Sequence, residues 1–140
     1  MAGVLLLGEL RVASAQATCN SDALRTTCVS RLGDGFHFLK SYLIDSDNGT
    51  RDKVEYSYVF TRGTMYQINL CMANEAGPMT MVSILDGSRN KMATNKTDTQ
   101  WVPVISFLCN ATGIYYLQYT LENGASCAGS ALGFQRPLKE

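Results

Sequence analysis

Five cysteines, a single histidine and one short acidic run are the residues of this 140-residue chain that could carry chemistry. Cys19, Cys28, Cys71, Cys109 and Cys127 lack the C-x-x-C and H-x-x-x-H spacings that zinc and redox sites use. In an exported chain such cysteines read as two structural disulfides and one unpaired thiol. The expected bridges are Cys71 with Cys109, and Cys127 with Cys19 or Cys28. Closing the 71–109 loop would constrain the unfolded chain by about 4 kcal/mol in the loop-entropy picture. A nucleophilic Cys–His pair would need His37 beside an exposed thiolate. His37 instead sits between Phe36 and Phe38 on an extended segment, pointing away from both rings. No G-x-S-x-G elbow, H-E-x-x-H helix or phosphate-binding glycine loop occurs, so the chain reads as a non-enzyme.

The acidic run is Asp45-Ser46-Asp47-Asn48-Gly49-Thr50-Arg51-Asp52. Alternating carboxylates in a loop suit calcium, which takes six to eight hard oxygen ligands. Asp45, Asp47 and Asp52 are therefore the candidate ligands, and calcium is the one cofactor the sequence raises. The competing reading is a solvated turn, because Asp, Asn and Gly also build turns. The glycine falls one place too early for an EF-hand loop, no closing glutamate follows, and Arg51 and Lys53 offset the charge. Asn48-Gly49-Thr50, Asn95-Lys96-Thr97 and Asn110-Ala111-Thr112 match the N-glycosylation acceptor pattern. Trp101 and the tyrosines Tyr115, Tyr116 and Tyr119 could stack on sugar faces. Tyr115 and Tyr119 share one strand face and Tyr116 takes the other, which assigns at least one set to the core. Trp101, approached by the polar residues 95–100, is left as the candidate ligand-binding ring.

These residues must be held by the remaining chain, whose chemistry is ordinary. Twelve basic and twelve acidic residues cancel, so no net field draws the chain to nucleic acid or an anionic membrane. Hydrophobic residues make up 46% and charged ones 17%, enough apolar material for a core and too much for disorder. Residues 1–17 read as a secretory signal: Val4 to Leu7 form its apolar run, and Ala13, Ala15 and Ala17 its small-residue cleavage region. An amphipathic helix that stays attached is the alternative, since Glu9 and Arg11 interrupt the run. Residues 18–140 then form one domain, secreted or periplasmic. No later apolar run reaches the eighteen residues needed to span a bilayer.

Leu24, Cys28 and Leu32 recur every four residues, giving a short helix with Ser21 at its start and Gly33 as its stop. The period then falls to two. Strands are expected over 36–44, 54–60, 66–70, 79–85, 91–93, 102–108, 114–121 and 127–134. Thr61 to Thr64 and Asn123-Gly124 read as hairpin turns, and Ala76-Gly77-Pro78 as a break. Pro103 requires its strand to start after it or to lie at an edge. Seven or eight short strands at this spacing describe an all-β fold: a single-domain, jelly-roll-like antiparallel β-sandwich with one short N-terminal helix.

Gly63-x-x-Tyr66-x-Ile68-x-Leu70, Ile84-Leu85-Asp86 and Thr112-Gly113-Ile114-Tyr115-Tyr116-Leu117 resemble the turns of bacterial pre-peptidase C-terminal domains. With Cys109 before that last turn and Cys127 in the final strand, the chain is also similar to small exported bacterial β-sandwich proteins of unassigned function. The resemblance covers residues 36–134. It implies the sandwich fold and a non-catalytic attachment or binding role, some relatives binding collagen or polysaccharide, and it transfers no site. The expectation is a secreted binding module for an extracellular polysaccharide or a surface protein, its contacts made by loops at one end. A structural or assembly subunit that self-associates through an edge strand is the alternative, and a small hydrolase the remote one.

Overall fold

The computed structural model describes residues 21–46, 50–72, 80–98, 100–121 and 127–136. The signal segment, Cys19, Asp47, Asn48, the break at Ala76-Gly77-Pro78 and the turn at Asn123-Gly124 lie outside these residues. A helix, α1 (Ser21–Ser30), precedes eight strands: β1 (His37–Asp45), β2 (Lys53–Phe60), β3 (Met65–Met72), β4 (Thr80–Leu85), β5 (Lys91–Thr94), β6 (Val104–Leu108), β7 (Gly113–Leu121) and β8 (Cys127–Gln135). They form two antiparallel four-stranded sheets, β1-β8-β3-β6 and β2-β7-β4-β5, packed face to face with the strand order of a jelly roll. β6, an edge strand of the first sheet, begins directly after Pro103, whose carbonyl accepts the Leu70 N–H but whose nitrogen has no hydrogen to return, so the ladder with β3 ends there.

Side-chain parity sorts each strand. In β3, Tyr66, Ile68 and Leu70 enter the core between the sheets, where they meet Ile44, Phe60 and Leu117. The intervening Gln67, Asn69 and Cys71 are buried as well, at 7%, 2% and 1% exposure. They lie under α1, which covers the outer face of the first sheet. Leu24 and Leu32 flank Cys28 there, packing with Cys71 and Ala131 as the four-residue spacing requires. Polar groups fix this second interface: Asn69 donates to the Cys28 carbonyl at 2.8 Å and accepts the Ala131 N–H at 2.8 Å. The Gly33 N–H, past the helix end, donates to Gln67 at 2.7 Å. Close approach depends on Gly129, where a Cβ would stand 2.9 Å from the Leu24 backbone.

Two expectations fail for the same geometric reason. Cys71 is bonded to Cys28, with Cα atoms 5.7 Å apart, and not to Cys109, which is a free, buried thiol. Cys71 points outward under α1 while Cys109 belongs to the core between the sheets, so the first sheet separates them. Cys127 is also disulfide-bonded. The Thr61–Thr64 turn does reverse the chain, but it carries β2 in one sheet to β3 in the other and closes no hairpin. β7 and β8 likewise belong to different sheets, so Asn123-Gly124 does not join paired strands. Turn residues set a reversal of direction, whereas the plane of hydrogen bonding is set by which faces the two strands bury.

Candidate functional site

The strand order places the sequence candidates at different corners. His37 opens β1 at one edge of the first sheet, exposed, with its ring 5.4 Å from Phe134. Cys109 follows β6 at the opposite edge and is fully buried, and three strand spacings of about 4.8 Å separate the two edges. Trp101 lies between β5 and β6, half-buried, with the Lys96 ammonium 4.8 Å from its ring centroid. That ring therefore offers no open sugar platform on the covered side. Asp45 and Asp52 flank the β1–β2 connection at the same end but the other edge, Asp45 half-buried and Asp52 exposed. No cluster of three or more metal-ligating side chains forms among the described residues; Asp47 is not one of them. Asn95 is 1% exposed. Its amide nitrogen donates to the Thr80 carbonyl at 3.2 Å and its oxygen accepts the Val82 N–H at 2.9 Å. This acceptor motif is thus consumed as a structural clamp, while Asn110 is exposed.

At the opposite end the β4–β5 and β6–β7 segments line a cleft of about 330 Å³. Its lining includes Asp86, Ser88, Met92, Phe107, Thr112 and Tyr115. A register shift between Ile84 and Leu85 marks a bulge in the β4–β5 pair, leaving Met92 unpaired and 46% exposed. Phe107 and Tyr115 meet edge to face at 5.8 Å and rest on Phe60, which stacks on Tyr66 at 4.0 Å. This aromatic floor is rigid because each ring is held by the next. The 110–113 rim is also fixed. The Tyr115 hydroxyl donates to the Ala111 carbonyl at 2.6 Å, and Thr112 accepts the Arg62 N–H at 2.8 Å.

Asp86 is ordered by its own turn. Its carboxylate accepts the N–H groups of Ser88 at 2.9 Å and Asn90 at 2.8 Å, and the Asn90 side-chain amide at 3.2 Å. These bonds hold its pKa below the usual carboxylate value, Asn90 contributing most, so it is ionised at neutral pH. Below the cleft, the Cys109 thiol lies 3.7 Å from the Tyr115 hydroxyl with no surface exposure. Access, which a nucleophile needs, is absent there.

Beside the cleft, the outer face of the second sheet has no covering element among the described residues. Val59 and Ile114 are directly opposite in the β2–β7 register, and are 57% and 51% exposed. Ile114 also lines the cleft. Next along this face, the Arg89 guanidinium lies 4.7 Å from the Tyr116 ring centroid and donates to Glu55, which also accepts from Gln118. Arg89 makes this reach from a left-handed backbone, φ 68°, at the end of the β4–β5 turn. These residues belong to no motif in the sequence and stand there as turn and strand material. The available signal was parity, for Val59 stands where Glu55 and Ser57 place polar groups outward.

No family model matches the chain, and no curated protein matches it. Among solved structures it is similar to PliG of Aeromonas hydrophila, a periplasmic lysozyme inhibitor of g-type lysozyme. The identity is 13% over 75% of this chain and 92% of that one, with a TM-score of 0.49.

Proposed function

We propose that the chain is an exported, non-catalytic module that binds a protein partner with the open face of its second sheet. The observation that carries this reading is the contrast between the two outer faces. One is sealed by a disulfide-tethered helix, and the other presents adjacent, exposed Val59 and Ile114 beside an ordered Arg89–Glu55–Gln118 network. An aliphatic centre with a polar rim suits a protein interface, whereas sugar platforms need open aromatic rings. The Cys28–Cys71 bond fits an oxidising compartment, in keeping with a secreted or periplasmic location.

The test is capture from envelope extract on the immobilised, oxidised protein, followed by affinity measurement with the purified captured protein. Val59→Asp and Ile114→Asp should each weaken that affinity roughly 30-fold, as for a 2 kcal/mol interface anchor, and leave the melting temperature unchanged. Unchanged affinity in both variants would refute the assignment of this face. Retention on insoluble polysaccharide in place of protein would refute the partner class.

A further inference from the structure

Resting on that reading, we infer that the cleft at the turn end receives a basic side chain of the protein partner, with Asp86 as its counter-ion. The cleft combines an ordered carboxylate with an aromatic floor, two groups that each attract a cation. Its volume of about 330 Å³ is small for a metabolite pocket and adequate for one long side chain. Met92 supplies an apolar wall for the methylene stem of such a residue.

Among the described residues no cation pairs with the charge at the cleft. Arg89, three residues from Asp86, is committed to Glu55 and Tyr116. The partners Asp86 does have are neutral amides, which orient the carboxylate and leave its charge in place. The Tyr115 phenol registers that charge, its pKa raised first by burial and Cys109, with Asp86 adding to the rise. Continuity decides between partner classes. Ile114 belongs both to the cleft lining and to the exposed aliphatic pair, so a protein lying on the open face reaches the cleft with a neighbouring side chain.

Small probes test the cleft without the partner. Backbone amide NMR titrations would use agmatine and n-butylammonium as cations, n-butanol and butyrate as controls, and glucosamine as the amino-sugar alternative. The two cations should shift the amides of Ser88, Asn90 and Ala111 to Gly113, and butyrate should not. Asp86→Asn retains an oxygen to accept the Ser88 and Asn90 N–H groups and should weaken cation binding at least about fivefold. Met92→Lys, which keeps Asp86 and supplies an internal ammonium, should weaken it similarly. Equal binding of butanol and butylammonium, or unaltered binding in a folded Asp86→Asn variant, would overturn the inference. Tighter binding of glucosamine than of agmatine would overturn it in favour of an amino-sugar polymer. Partner capture that survives while the probes fail leaves the open-face reading intact and removes only the cleft, so the two failures are distinguishable.

Discussion

A phenol is cheap to bury neutral and costly to bury charged, and several tyrosines here are placed to show it. Burial pushes the Tyr42 phenol up to about 12, with Tyr58 and Tyr56 nearby adding to the rise. Burial, with Cys109 beside it, takes Tyr115 to about 12, and burial raises Tyr119 further despite its hydrogen bond to Ser130. Because the folded pKa values exceed the unfolded one, this stabilisation is complete below pH ~10 and is lost as pH climbs from there through about 12. An absorbance titration at 295 nm should show these phenols ionising only together with unfolding; reversible ionisation of all seven tyrosines near pH 10 in folded protein would contradict it. Two hydroxyls then make a contrast. Tyr119 donates to Ser130 at 2.8 Å, whereas Tyr42 has no hydrogen-bond partner among the described residues. Tyr119→Phe should cost about 1 kcal/mol in urea unfolding, and Tyr42→Phe should be neutral or slightly stabilising.

At the scale of elements, α1 stands apart from the main core. Its apolar stripe packs on the outer face of the first sheet, in a cluster separate from the one between the sheets. The Cys28–Cys71 bond spans 43 residues of sequence, and closing such a loop constrains the unfolded chain by about 4 kcal/mol in the entropy model. Replacing both cysteines with alanine should therefore lower stability by roughly 2–4 kcal/mol. The loss should begin with α1: amide exchange would speed up in Ser21–Ser30 while β3 and β8 keep their protection. Gly129→Ala should loosen the same interface with the disulfide intact, since the new Cβ meets the Leu24 backbone at 2.9 Å. Uniform exchange across helix and sheets in either variant would show that α1 and the sandwich unfold as one unit.

Across the whole molecule, strands of up to nine residues set the two ends about 30 Å apart. The Asp86 cleft occupies one end, and Trp101 with the acidic connection occupies the other. Trp101 is the single tryptophan, so its emission reports on that far end alone. Binding in the cleft should leave the emission maximum unmoved, and a shift on partner binding would relocate the interface to the Trp101 end.

Local rules determined most of the elements. Alternation, as in 54–60 and 114–121, and the four-residue spacing of Leu24, Cys28 and Leu32 pointed to seven or eight strands and the helix, while Pro103 left open a later start or an edge position for its strand, and β6 has both. Each of these is written in neighbouring residues, because period and backbone restriction act over one or two turns of chain. Pairing is different in kind. Whether Thr61–Thr64 closes a hairpin or crosses between sheets, and whether Cys71 meets Cys109 or Cys28, depends on which strand lies alongside and what covers its outer face. The alternation around Cys71 already put it on the face opposite Tyr66, Ile68 and Leu70, but only the packed helix supplied a cysteine to meet it there. The cleft was illegible for the same reason: Asp86 and Met92 come from one stretch of sequence and Phe107 and Tyr115 from another, and no local pattern encodes their meeting. Long-range burial of two sheet faces against each other brought them together, and that is a property of the folded chain alone.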